Sequence, residues 1–117
     1  MNKHLEQRIR EQFNQLDRAL LATCGPAGPQ ISTVTFETQA QVLYLFLAHG
    51  SDHLFHLETD ANVVLLTPNW KLHGRGTIVS GSASVVGQPW QVLVEVVPVR
   101  LHILGEDRQS VVETFDL

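Results

Sequence analysis

The stretch VLYLFLAHGSDHLFHLETDANVVLLTPNW, residues 42–70, decides the fold, because it contains a buried strand, a short helix and another strand in close succession. Residues 42–48 are apolar on both faces of an extended chain, which is typical of a buried strand. Ser51 follows a glycine and is a suitable N-cap, so residues 52–59 are predicted to form two helical turns. The residues of this helix predicted to face inward are Leu54, Leu57 and Phe55.

The residues before this stretch predict a helix and a β-hairpin. Apolar residues recur every three or four positions from Leu5 to Leu20, so residues 3–16 are predicted to form an amphipathic helix. Residues 19–24 and 30–38 are predicted to be the two strands of the hairpin. Its predicted loop has five residues, 25–29, because glycine and proline cluster there.

Three more strands complete the predicted fold. Residues 63–67 form one, residues 72–86 form a long one, and residues 92–104 form the last, in which Pro98 favours an edge or a bulge. The glycines within the long strand indicate a bend, a bulge or a close backbone approach. They are Gly74, Gly76 and Gly81. Six strands in this order predict a mainly β, closed or nearly closed antiparallel barrel.

Composition narrows the class of protein. A chain of 117 residues with 44% hydrophobic and 17% charged residues suits one globular domain, residues 1–117. The net charge of −4, with no Lys/Arg run, argues against a nucleic-acid partner. Cys24 is the only cysteine, so no intrachain disulfide forms. No apolar run approaches the roughly 20 residues of a membrane helix, and a cytoplasmic protein is expected.

The order of these elements, together with three motifs, resembles the pyridoxamine 5'-phosphate oxidase-like superfamily of FMN-binding split barrels. The motifs are LLAT at 20–23 joined by a turn to GPQISTVTF at 28–36, the stretch 42–70, and LHGRGTIVSGSASVVG at 72–87. Residues at the landmark positions of the family are Ser51, Trp70, Arg75 and Gly81. The resemblance covers residues 18–104 and implies a six-stranded antiparallel split β-barrel. It also implies an N-terminal helix, a short helix after the third strand, and a homodimer.

The resemblance implies an FMN site. The second strand would run along the flavin and its ribityl chain, the end of the third strand would form a wall, and the helix start and Arg75 would contact the phosphate. The implied cofactor-binding residues are Ser32, Thr33, Val34, Thr35, Leu47, Ala48, Ser51, His53 and Arg75. Because the flavin carries the redox chemistry, the implied activity is an FMN-dependent oxidoreductase with an unknown small-molecule substrate and no identified catalytic residue.

Departures from the family keep two alternatives open. Ser32, Asp52 and His53 stand where the family has basic residues that bind the phosphate, and a dianion needs such donors. One alternative is therefore a dimeric split-barrel binding protein that has lost flavin. The other is a haem-binding relative, because imidazoles can ligate haem iron, although no metal site is predicted. Its candidate ligands are His49, His53, His56 and His73. True pyridoxamine 5'-phosphate oxidase activity is not expected, because the family's C-terminal Arg/His segment has no counterpart here.

Overall fold

The computed structural model describes residues 3–79 and 87–117. Its helices and strands, in chain order, are α1 (Lys3–Asn14), β1 (Arg18–Gly25), β2 (Gly28–Gln39), β3 (Val42–Ala48), α2 (Asp52–Leu57), β4 (Asn62–Leu66), β5 (Trp70–Val79), β6 (Gln91–Leu104) and β7 (Val111–Asp116). Gly81 and the rest of residues 80–86, which are predicted to end the long strand, lie outside the described residues.

Six of the strands close into an antiparallel barrel. Their hydrogen-bonded order is β3-β2-β1-β4-β5-β6, and β3 also pairs with β6, which joins the two ends of the sheet. Closure removes the unpaired edges that an open sheet would expose. The predicted mainly β class and the six-stranded antiparallel barrel are confirmed.

A seventh strand, β7, lies outside the barrel, and the sequence pattern does not predict it. β7 pairs with the second half of β6, whereas the first half of β6 pairs with β3. Most of its side chains are exposed. β7 therefore relies mainly on backbone pairing with β6, although Phe115 packs against the apolar core. Sequence patterns report apolar periodicity, of which β7 shows little.

The hairpin loop between β1 and β2 is shorter than predicted. Pairing continues to Gly25 opposite Gly28, so the turn contains only Pro26 and Ala27 and the predicted loop of five residues is wrong. Gly28 has a φ of 106°, a conformation that side chains with a Cβ rarely adopt. Glycine at this position therefore lets the strands pair right up to the turn.

Trp70 fixes α1 to the barrel. Its side chain is fully buried, and its ring meets the rings of Phe13 and Phe36 edge-on at centroid distances of 5.3 and 6.0 Å. The indole Nε1–H donates a hydrogen bond to the carbonyl oxygen of Gln12, 3.2 Å away. The indole thus combines a large apolar contact with a partner for its polar atom, the usual arrangement for a buried tryptophan.

A β-bulge bends β6 where it crosses β5. The register shifts between His73 and Gly74, so that Val99 is an extra residue beside Pro98 on β6. A Cβ at Gly74 would lie 2.7 Å from a methyl carbon of Val96 and 2.9 Å from a backbone carbonyl oxygen. The predictions of a bulge at the proline and of a close backbone approach at this glycine are confirmed.

We expect Gly74→Ala to lower the free energy of unfolding by about 1–3 kcal/mol, because the added methyl group meets backbone that cannot move aside cheaply. Urea unfolding followed by circular dichroism measures the change. Gly50→Ala is the matched control, since no atom lies within 4 Å of its Cβ position. It should change the free energy by about 0.5 kcal/mol or less. Equal stability of the two variants would show that the barrel accommodates a methyl group at Gly74.

Candidate functional site

The helix α2 buries two imidazoles at one end of the barrel. The Oγ atom of Ser51 accepts a hydrogen bond from the backbone N–H of His53 and caps the helix. His53 is only 2% exposed and His56 is 7% exposed. Phe55, by contrast, is 60% exposed, so the prediction that it faces inward is wrong. Residues three apart share a helix face and residues one or two apart do not, so burying both histidines turns Phe55 outward.

The two imidazoles and two strand hydroxyls form one continuous set of hydrogen bonds. Thr23 Oγ1 on β1 lies 2.7 Å from His53 Nδ1 and 2.8 Å from His56 Nδ1. His53 Nε2 lies 2.9 Å from Ser32 Oγ on β2. We call these four side chains the histidine network. Because a buried polar group is costly unless it is hydrogen-bonded, the two hydroxyls are what allow imidazoles in this position.

Gly25 makes room for the ring of His56. A Cβ at this glycine would lie 2.3 Å from His56 Cδ2 and 2.4 Å from His56 Nε2. The imidazole therefore rests directly on the backbone at the end of the β1–β2 hairpin. No side chain larger than hydrogen fits at residue 25 while His56 keeps its contact with Thr23.

The environment of His53 favours its neutral form. Burial lowers the pKa of His53, the neighbouring His56 lowers it further, and the carboxylate of Asp52 opposes the shift. Loss of hydration outweighs the attraction to one nearby carboxylate, as expected for a group removed from water. At neutral pH the network therefore contains an uncharged His53 that can both donate and accept hydrogen bonds.

The structure brings three of the predicted cofactor-binding residues together. Ser32 and His53 bond to each other, and Ser51 caps the helix that carries His53. Ser32 lies on the same face of β2 as Val34, which is buried in the core with Leu47. The role of these residues in cofactor binding stays a prediction.

The remaining predicted residues lie elsewhere. Thr33 and Thr35 are exposed on the opposite face of β2, and Ala48 is exposed at the end of β3. Arg75 is exposed on β5 and lines a groove of about 400 Å³, which Asp60 also lines. None of the other predicted cofactor-binding residues lines that groove. The nine residues thus fall into separate regions.

A second groove carries two arginines that the sequence analysis does not single out. It has a volume of about 420 Å³ and an apolar floor that includes Leu20, Leu66 and Pro68. Arg18, Arg108 and Thr33 also line it, and its lining contains no carboxylate. We call it the two-arginine groove. The ion pairs among the described residues are Arg8–Glu113 and Arg100–Asp116, so neither arginine of the groove is neutralised there.

The other histidines do not join the network. His49 Nε2 contacts the carbonyl oxygen of Pro89 at 3.1 Å. His73 pairs edge-on with His102 on the outer face of β5 and β6, at a centroid distance of 5.8 Å. Partial burial lowers the pKa of His102, as do its cationic neighbours, with Asp116 opposing. Of the four candidate haem ligands only His53 and His56 therefore lie together, and residues 3–79 and 87–117 contain no group of three or more His, Cys, Asp or Glu side chains that could hold a metal ion.

Within the described part of the chain, neither helix is long and apolar enough to cross a membrane.

Cys24 is exposed at the end of β1. It lines the same groove as Arg75. Its only polar contact among the described residues is a weak one to the carbonyl oxygen of Gly25.

Comparison with known proteins identifies the fold. No family model and no curated protein matches the sequence. A Clostridium acetobutylicum structure, described as related to general stress protein 26 and of the pyridoxinephosphate oxidase family, matches with a TM-score of 0.74 at 12% identity, covering 100% of this chain and 97% of that chain. The haem storage protein HutZ from Vibrio cholerae gives 0.66 at 15% identity, with coverages of 85% and 94%. A FAD-binding protein from Mesorhizobium loti gives 0.61 at 10% identity, with coverages of 81% and 88%. At these identities the likeness establishes the fold.

We predict that the free energy of unfolding falls as the pH is lowered from 7 towards 5. The pKa of His53 is lower in the folded protein than its ordinary value of 6.5, so the unfolded chain binds the proton first. The stabilisation is complete above about pH 6.5 and is lost as the pH falls through the pKa of the folded state. Urea unfolding at a series of pH values measures this slope.

The matched variants are His53→Gln, which removes the titrating group, and His49→Gln, which alters a histidine outside the network. The slope of unfolding free energy against pH should decrease in the first variant and stay as in the wild type in the second. An unchanged slope in His53→Gln would mean that another group causes the pH dependence.

Proposed function

We propose that this chain is a homodimeric split-barrel protein that binds a planar anionic cofactor. Its fold is that of the pyridoxamine 5'-phosphate oxidase-like superfamily, as its motifs predict. FMN is the cofactor we favour, and the two-arginine groove is the proposed site. The observation that carries this proposal is the composition of that groove. Apolar side chains line it together with Arg18 and Arg108, which supply positive charge, and no carboxylate is among its lining residues.

The size and chemistry of the groove suit such a ligand. Its volume of about 420 Å³ falls within the range of small-molecule sites. Leu20, Leu66 and Pro68 offer a surface on which a flat ring system can lie. Guanidinium groups bind phosphate through paired hydrogen bonds, so Arg18 and Arg108 are the proposed phosphate ligands.

The residues at the family's phosphate position do not suit a phosphate in this chain. Ser32 and His53 bond to each other, and burial favours the uncharged form of His53. Asp52 at the start of α2 adds a negative charge at this end of the helix. We therefore assign the phosphate to Arg18 and Arg108. When bound, FMN would supply electron or hydride transfer, and the chain would hold and orient it.

Homodimerisation is the second part of the proposal. Ile31, Leu20 and Leu66 are exposed on the outer face of β1, β2 and β4, and Ile31 is 63% exposed. Leu20 pairs directly with Leu66 across β1 and β4, so these side chains are neighbours. A contiguous apolar area on a sheet is typical of an interface, and a second copy would cover it in a twofold arrangement. Because two of these residues also line the two-arginine groove, the same contact would shield a bound cofactor from water.

Binding of FMN to the purified protein tests the cofactor proposal. We expect quenching of flavin fluorescence on binding, and we expect Arg18→Gln and Arg108→Gln each to weaken the affinity about 10- to 100-fold, the usual effect of losing a charged hydrogen bond. Arg10→Gln on α1 is the control and should bind as the wild type does. If only Arg75→Gln weakened FMN binding, the phosphate would be assigned instead to the groove that Arg75 lines.

The same titration separates the alternatives. Binding of haem with a Soret band, and no binding of FMN, would favour the haem-binding relative, in keeping with the structural likeness to a haem storage protein. Binding of neither cofactor would favour a split-barrel binding protein that has lost flavin. We propose no nucleic-acid partner, because the chain carries a net charge of −4.

Sedimentation equilibrium tests the dimer. We expect the mass of a dimer at micromolar concentration, and we expect Ile31→Asp to increase the dissociation constant at least about tenfold, because it places a charge within an apolar contact. Val112→Asp is the control, since Val112 is also exposed but lies on β7, outside the barrel. A monomeric mass for the wild type would contradict the dimer.

A further inference from the structure

The hydroxyl of Thr23 constrains the two imidazoles of the histidine network. It contacts the Nδ1 atoms of both His53 and His56, yet it has one proton to donate. It can therefore donate to one Nδ1 atom while accepting from the other. When both rings are neutral, one ring carries its proton on Nδ1 and the other carries its proton on Nε2. The two tautomers are thus linked through a single hydroxyl.

We propose that the histidine network is a two-state proton relay running between Ser32 and His56. In the first state His56 Nδ1–H donates to Thr23, Thr23 donates to His53 Nδ1, and His53 Nε2–H donates to Ser32. In the second state each of these three hydrogen bonds runs in the opposite direction. In both states each of the three hydrogen bonds has one donor and one acceptor. This inference is independent of the proposed cofactor, because it concerns side chains of the chain alone.

One proton crosses the network in each change of state. A proton that binds His56 Nε2 releases the proton of His56 Nδ1 to Thr23, and Thr23 releases its own proton to His53 Nδ1. His53 Nε2 then gives its proton to Ser32 Oγ, and the original hydroxyl proton of Ser32 leaves. All four groups end neutral, and the network is left in the second state. The next proton must then cross in the opposite direction, unless the network first returns to the first state.

The surroundings suit a relay that carries one proton at a time. His53, at the centre, is almost fully buried, whereas Ser32 is half-buried and His56 retains a small exposure, so the ends of the network reach the surface more than its middle. The charged groups that act on His53 are His56 and Asp52. A second proton would place two positive charges on rings with centroids 6.5 Å apart. It would also leave the Thr23 proton without an acceptor within the network, which is costly in a buried site.

A purely structural role would give a different result. If one arrangement of protons were fixed, the tautomer of His56 would stay the same when Ser32 is changed. In a relay, the state of Ser32 is transmitted to His56 through Thr23. The tautomer of His56 is therefore the informative quantity, and Ser32 and His56 share no direct hydrogen bond among the described contacts.

Long-range ¹H–¹⁵N NMR of the imidazoles in the ligand-free protein, near pH 7.5, measures both tautomers. Ser32→Ala removes the acceptor for His53 Nε2–H, so His53 should move to its Nδ1–H form and His56 to its Nε2–H form. We expect the tautomer ratio of both rings to change about fivefold, the effect of one lost hydrogen bond. Thr33→Ala, a neighbouring change on the opposite face of β2, is the control and should leave both ratios unchanged.

Thr23 variants test the transmission itself. Thr23→Ser keeps the hydroxyl, and Ser32→Ala should still alter the tautomer of His56 in that background. Thr23→Val removes the hydroxyl, and Ser32→Ala should then leave His56 unaffected. The relay is overturned if Ser32→Ala changes only His53 in the wild-type background, or if its effect on His56 is the same with Val at residue 23. The serine background decides the question even if Thr23→Val fails to fold.

Discussion

Closure of the barrel depends on the pairing of β3 with the first half of β6, from Leu43 opposite Val96 to Ala48 opposite Gln91. β6 must also pair with β5 along most of its length and with β7 beyond the point where β3 ends. A strand shared by three partners has to bend, and the bulge beside Pro98 allows it to do so. The end of β3 is therefore fixed against β6, and the chain that follows it passes directly into α2 over the end of the barrel.

The two helices close the barrel by different physical means. α1 contributes Ile9 and Phe13 to the apolar core, where Phe13 packs against Trp70. α2 instead presents two imidazoles to strand hydroxyls, with Leu54 and Leu57 only partly buried beside them. Apolar packing tolerates exchange of side chains of similar volume, whereas a buried polar network must be satisfied at every member. The contact under α2 is therefore the more demanding of the two.

The predictable part of the fold is the part that apolar patterns describe. Residues 42–48 are apolar on both faces and form β3, and the glycines of the long strand mark the close approach at Gly74. β7 is missed because its side chains are largely exposed, so that no periodic apolar signal accompanies its backbone pairing. The turn at Pro26 is misjudged because glycine and proline indicate where a turn lies but not how far pairing continues into it.

The candidate site is less predictable for a similar reason. Ser32 and His53 are named from the resemblance as cofactor contacts, but the set of hydrogen bonds that joins them also includes Thr23, which comes from a third element. Arg18 and Arg108 are 90 positions apart and line one groove because β1, β4, β5 and β6 are successive neighbours in the sheet. Phe55 is judged inward by hydropathy, whereas polar partners on β1 and β2 make the histidine face the buried one. Sequence patterns report local preference, and these three arrangements are tertiary.

The bulge in β6 also changes how that strand can be compared with distant relatives. Before it, even-numbered residues face the core, with Val94 and Val96 in the main core cluster and Pro98 also buried, while Leu93 is buried in a separate cluster with Tyr44. After it, Leu101 faces the core, so the buried positions have become odd-numbered. The extra residue at Val99 therefore shifts the alternation of buried and exposed residues along the strand by one position. An alignment with a strand that lacks the bulge assigns every residue beyond Val99 to the wrong side of the sheet. A single gap placed at Val99 corrects this assignment.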